Sequence, residues 1–118
     1  DWKDGSVQQE AYDFKVGVKA IQGIPASGEI PCENSFITVD NENIVLAAVK
    51  RAEDGNGYIV RFWNKSDDNI RTAVKINLPV NCASLAKMNE EKIEDIDFND
   101  NKAEIDISAH KIVTLRIM

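Results

Sequence analysis

Ile44-Val45-Leu46-Ala47-Ala48-Val49-Lys50-Arg51-Ala52-Glu53-Asp54-Gly55-Asn56-Gly57-Tyr58-Ile59-Val60-Arg61-Phe62-Trp63 is a pair of apolar runs joined by turn-forming residues. Gly and Asn accept positive φ at little cost, so 54–57 reads as a hairpin loop and the flanking runs as paired antiparallel strands. Each run is apolar on both faces, and a strand of that kind needs a cover on each side. A two-layer fold supplies one cover; a loop, a partner or a further domain must supply the other. Alternation along a strand predicts that Tyr58, Val60 and Phe62 point into the core beside Ile44, Leu46 and Ala48. Ile59, Arg61 and Trp63 then point outward and join Val45, Ala47 and Val49 in an apolar patch of about 300–500 Å².

Outside this hairpin the dominant period is again two. Tyr12, Phe14, Val16, Val18 and Ala20 alternate with Asp13, Lys15, Gly17 and Lys19. Ile70, Val74, Ile76 and Leu78 share one face of a second segment, with Arg71, Lys75 and Asn77 on the other. Segments 103–109 and 113–117 repeat the pattern. Strands with one wet and one dry face are characteristic of antiparallel sheets. Polar breaks at 65–69 and 99–102 separate them, and Pro25, Gly28 and Pro31 mark an irregular stretch before Phe36. Segment 81–88 reads as a strand rather than a helix, because Cys82, Ser84 and Asn89 are poor helix formers. The expected fold is all-β: an antiparallel β-sandwich of about seven to nine strands, in a single domain spanning 1–118.

Composition narrows the partners. The 118 residues carry 14 basic and 20 acidic side chains, a net −6, which disfavours nucleic acid and anionic membrane as partners. No apolar run approaches the ~20 residues of a membrane-spanning helix. The chain starts at Asp1 without a signal peptide and reads as a piece of a longer protein. Two cysteines, Cys32 and Cys82, are expected as buried free thiols. Together with the single His110 they are too few to build a metal site from His and Cys alone.

Four further groups of residues could carry chemistry. Glu90, Glu91, Glu94, Asp95 and Asp97 include carboxylates that period two places on one face, as paired acid and base would require. Their plainer reading is a solvated edge strand whose charges discourage aggregation. Asp97-Phe98-Asn99-Asp100-Asn101 opens like a calcium loop, but Lys102 stands where the turn glycine belongs, so it reads as a tight turn. Asn64-Lys65-Ser66 has the form of a glycosylation acceptor, a pattern that an Asn-rich chain produces by chance. His110 has no nucleophile or acid near it in sequence, and Trp2, Tyr12, Tyr58, Phe62 and Trp63 read as packing residues rather than a sugar-stacking row. The residues by themselves describe a β-sandwich without catalytic residues.

The hairpin also carries a resemblance. Lys50-Arg51-Ala52-Glu53-Asp54-Gly55 followed by Arg61 and Asn64 resembles a signature in the C-terminal β-domain of family 38 glycoside hydrolases, the α-mannosidases. Asp1-Trp2 with Gly5, the strand-like 11–14, Ser35-Phe36 and the closing 110–117 resemble flanking parts of that region, with His110 roughly where the family often has Pro.

The resemblance implies a parent enzyme that hydrolyses α-mannosides with zinc, its ligands, nucleophile and acid lying in an N-terminal catalytic domain. No catalytic, cofactor or metal role falls on these residues. The expected role is a scaffold that packs on the catalytic domain and helps to shape its cleft, with Lys50, Glu53, Ile59, Arg61 and Trp63 as candidate interdomain contacts. Self-association through the exposed patch is a further expectation. The alternatives are a stand-alone carbohydrate-binding module, which would show exposed aromatics or a calcium loop, and a protein-interaction sandwich, which would not explain Lys50 and Glu53 before Asp54-Gly55. Few cysteines and an Asn-, Lys- and Ile-rich composition point to a bacterial cytoplasmic enzyme.

Overall fold

In the computed structural model, residues 5–25 and 27–118 are described. The chain divides into two compact units, Asp1–Pro31 and Cys32–Met118. In the second, nine strands follow in order: β1 Ile37–Val39, β2 Ile44–Arg51, β3 Tyr58–Asn64, β4 Ile70–Ile76, β5 Ala83–Ala86, β6 Lys92–Ile96, β7 Phe98–Asn99, β8 Lys102–Ile107 and β9 Ile112–Ile117. They form two antiparallel sheets, of order β1-β4-β8-β7 and β2-β3-β9-β5-β6. This is the expected sandwich.

Its core comes from the alternation. Val74, Ile76, Ile105 and Ile107 of one sheet meet Ile44, Val60, Phe62, Leu115 and Ile117 of the other, all buried, while Arg71, Lys75, Glu104 and Asp106 face water. Residues two apart share a face, so each strand supplies one dry row to a common interior. The hairpin at 54–57 forms as expected, with Gly55 at φ 81° and Gly57 at φ 79°. At 100–101 both Asp100 (φ 51°) and Asn101 (φ 61°) are left-handed and join β7 to β8, so the calcium-like segment is a two-residue hairpin turn.

Two details of the hairpin differ from expectation. The ladder between β2 and β3 shifts between Leu46 and Ala48, where Ala47 is bulged out. An extra residue reverses the facing of everything after it. Ile44 and Leu46 therefore point inward as expected, but Ala48 pairs with Arg61 on the outer face and Val49 with Val60 on the inner one. Tyr58, at the start of β3, is 46% exposed, whereas Val60 and Phe62 are fully buried.

In the first unit, 12–20 is not a strand. Residues Val7–Val16 form a helix, α1, closed by Gly17, whose N–H donates to the Asp13 carbonyl at φ 61°. A strand must hydrogen-bond to a neighbour, while a helix satisfies its amides internally, so a period-two segment with no adjacent strand can take the helical solution. None of its side chains is buried, and Phe14 and Val18 are almost wholly exposed. Asp1 and Trp2 lie outside the described residues.

Candidate functional site

The candidate contact residues lie on the outer face of the five-stranded sheet, in three rows fixed by strand register. Lys50, Ile59, Arg116 and Ser84 form the first; Ala48, Arg61, Thr114 and Ala86 the second; Val45, Trp63 and Ile112 the third. Lys50, Ile59, Arg61 and Trp63 are thus brought to one face, with Glu53 of the hairpin loop joined to it through Lys50, though not into one role.

Ile59 is the main correction. It faces outward by register yet is fully buried. A loop of the same unit, the strap 87–91 between β5 and β6, holds Lys50 beside it in the row and Arg61 two residues along, and so crosses over it. Arg61 Nη2 donates to the Met88 carbonyl at 2.9 Å, and the Thr114 hydroxyl points at Met88 Sδ at 3.8 Å. Lys50 Nζ meets Glu90 Oε1 at 2.5 Å and Glu53 Oε1 at 3.0 Å, while the Glu53 backbone N–H donates to Glu90 Oε2 at 2.8 Å. Glu90 adopts φ 71°, a left-handed conformation that costs a non-glycine residue about 1–2 kcal/mol and is held by those contacts.

The electrostatics follow from the geometry. The Lys50 ammonium, then the Glu53 N–H, hold the Glu90 carboxyl below its ordinary range, against the opposing effect of burial. Glu90 and then Glu53 raise Lys50. Arg116 holds Asp54 low in the same way and also donates to the Asn56 carbonyl, fastening the hairpin loop to β9. A general acid for glycoside hydrolysis needs a raised carboxyl pKa; both of these are pushed the other way.

Glu90 is therefore not part of a solvated edge strand. It is buried, and its counter-charge comes from a hairpin distant in sequence. The signal available is the pair of cations, Lys50 and Arg61, set among the apolar residues of the hairpin strands. The rest of the acidic run behaves as expected: β6 is a sheet edge, Lys92 pairs with Asp95, and Lys87 with Glu91. Asp97 lies beyond the end of β6, so it does not share a strand face with Asp95.

Asn64 ends β3 at full burial. Its amide nitrogen reaches the carbonyls of Asp68 (2.7 Å), Ile107 (3.0 Å) and Ser108 (3.3 Å), and its carbonyl accepts from the Ser66 N–H and hydroxyl. This side chain ties the two sheets together and cannot take a glycan while folded. His110, at φ 57°, pairs with Asp67 at 2.9 Å in the turn before β9; proline, locked near φ −65°, could not adopt that conformation. Cys32 and Cys82 are free and exposed rather than buried, since neither falls on an inward position of a strand.

Among the described residues, no three His, Cys, Asp or Glu side chains gather as metal ligands. Glu90 and Asp54 are committed to Lys50 and Arg116, and the lone imidazole to Asp67, so these groups do not form a donor set that fits zinc. No described helix is long and apolar enough to cross a membrane.

No curated protein matches the chain. Residues 43–115 match the family model described as "Glycosyl hydrolases family 38 C-terminal beta sandwich domain". That span runs from the approach to β2 almost to the end of β9 and takes in the hairpin, the strap and Asn64. With more than half of its length inside this model, the chain belongs to the family 38 glycosyl hydrolase C-terminal β-sandwich domains.

Proposed function

We propose that this chain is the non-catalytic C-terminal domain of an α-mannosidase-like glycoside hydrolase, packing on the catalytic domain and helping to shape its cleft. Membership of the family implies a catalytic domain in the parent chain. The observation that carries the reading is the conjunction of that match with the chemistry of the matched segment. Its signature residues Lys50, Glu53, Arg61 and Asn64 all hold backbone or carboxylate groups of this domain in place. Lys50, Glu53 and Arg61 fasten the strap 87–91 to the sheet, and Asn64 fastens one sheet to the other. Zinc, by the same proposal, belongs to the catalytic domain.

The test is to express the full reading frame beside the 118-residue chain and assay both on a nitrophenyl α-mannoside, with zinc and with a chelator. The full chain should release nitrophenol in a chelator-sensitive way and the 118-residue chain should not. Release by the 118-residue chain, or none by the full chain, would sink the proposal.

A further inference from the structure

The strap divides the outer face of the five-stranded sheet. Over the first two rows it lies across Ile59; beyond it, the Val45–Trp63–Ile112 row is only partly covered, with Val45 and Trp63 half-buried and Ile112 50% exposed. Two of those residues belong to β3 and β9, interior strands of the sheet, where a single apolar face normally turns to the core. The strap also delivers Met88, 59% exposed, over the Arg61–Thr114 row next to it. The opposite outer face, on β4 and β8, is charged and carries the Arg71–Glu104 pair. Of the two outer sheet faces, that of the five-stranded sheet therefore carries a partly exposed apolar row, and its own strap extends it.

Resting on the function proposed above, we infer that Val45, Trp63, Ile112 and Met88 form the surface that docks on the parent's catalytic domain, and that the Lys50–Glu90 clasp and Arg61 position Met88 for it. Area, tethering and charge favour this occupant over a second copy of the chain. Four side chains present a few hundred Å² at most, whereas stable association of separate chains buries about 1,200 Å² or more. A tethered domain needs far less area, because the shared chain supplies a high effective concentration. The chain's net −6 also opposes the approach of another copy. Methionine suits such a contact, since its flexible thioether adapts to an irregular apolar partner.

The chain contains two methionines, and they make the test internal. Met88 lies on the inferred surface; Met118 follows β9 at the other end of the sheet, 42% exposed. Dilute peroxide is applied to the full-length parent and to the 118-residue chain, whose sandwich has its own core, and sulfoxide is read at each site by peptide mass spectrometry. Met88 should oxidise at least about fivefold more slowly in the parent, with its rate relative to Met118 falling by a similar factor. Ile112→Ser in the parent should restore the faster rate. Equal Met88-to-Met118 ratios in the two proteins would overturn the inference. So would protection of Met88 in the 118-residue chain that grows with concentration, which would mean a second copy. The readout is independent of hydrolysis: protection of Met88 in a parent inactive on α-mannosides would sustain the docking surface and remove the proposed activity.

Discussion

Lys50 and Glu90 meet at 2.5 Å across the outer face of the sheet, joining the hairpin strand β2 to the strap after β5. With Glu53 on the other side of the same ammonium, the contact closes the strap over Ile59. An apolar outward residue is thereby buried by a polar device.

That clasp gives a pH dependence of known sign. The Glu90 carboxyl is held below its ordinary value of 4.5, so it contributes stability that is full above that value and is lost as pH falls through the folded-state pKa. Lys50, raised above 10.5, contributes below that value and loses its part as pH rises through its own folded pKa. Glu90→Gln should therefore destabilise at pH 7, and its deficit relative to wild type should shrink as pH falls below 4.5. Urea unfolding at a series of pH values measures this; a deficit that stays constant down to about pH 2.5 would show that the carboxylate charge is not what holds the strap.

Phe62→Ala should cost about 3–5 kcal/mol, the usual loss for emptying a fully buried aromatic site. Tyr58→Ala, at the solvent-facing start of the same strand, should cost clearly less because Tyr58 is half in water. Equal losses in denaturant unfolding would contradict the difference in burial between the two ends of β3.

Gly57→Ala should be much more damaging than Gly55→Ala. Both glycines have positive φ, and either substitution incurs left-handed strain of about 1–2 kcal/mol. At Gly57 the new Cβ would also fall 2.2 Å from the Ile117 carbonyl oxygen, which is backbone and cannot step aside; at Gly55 the nearest atom is the end of the Arg51 side chain at 3.9 Å. Thermal unfolding of the two variants compares them directly, and similar melting temperatures would disprove the close approach.

Asn64→Ala should destabilise by about 2–4 kcal/mol, since it strands buried carbonyl groups at the junction of the sheets. Asn64→Asp should be worse than Asn64→Ala near neutral pH, because a carboxylate cannot donate to the Asp68, Ile107 and Ser108 carbonyls that the amide satisfies. If the aspartate variant proves the more stable of the two in denaturant unfolding, the Asn64 amide nitrogen does not face those carbonyls.

Much of this protein can be read directly from its residues. The alternation at 70–76, 103–107 and 113–117 becomes the core rows of β4, β8 and β9, because each polar–apolar step along a strand is a local property that no distant contact has to supply. The 54–57 and 100–101 turns are equally legible, since positive φ restricts residue choice locally. The signature Lys50, Glu53, Arg61 and Asn64 points to the family whose model matches the chain.

Long-range contacts settle whatever depends on a neighbour far along the chain. The bulge at Ala47 turns Ala48 outward, although nothing in an all-apolar run distinguishes one face from the other. The same period-two pattern that makes a strand of 70–76 leaves 12–16 helical, because alternation specifies which sides would be dry but not whether a strand stands beside them. Glu90 is buried and Ile59 is covered for the same reason: a strap and a hairpin meet, and their charges neutralise each other only once the sheet has brought β2, β3 and β5 together. Local periodicity assigns each residue to a face; long-range pairing decides what each face meets.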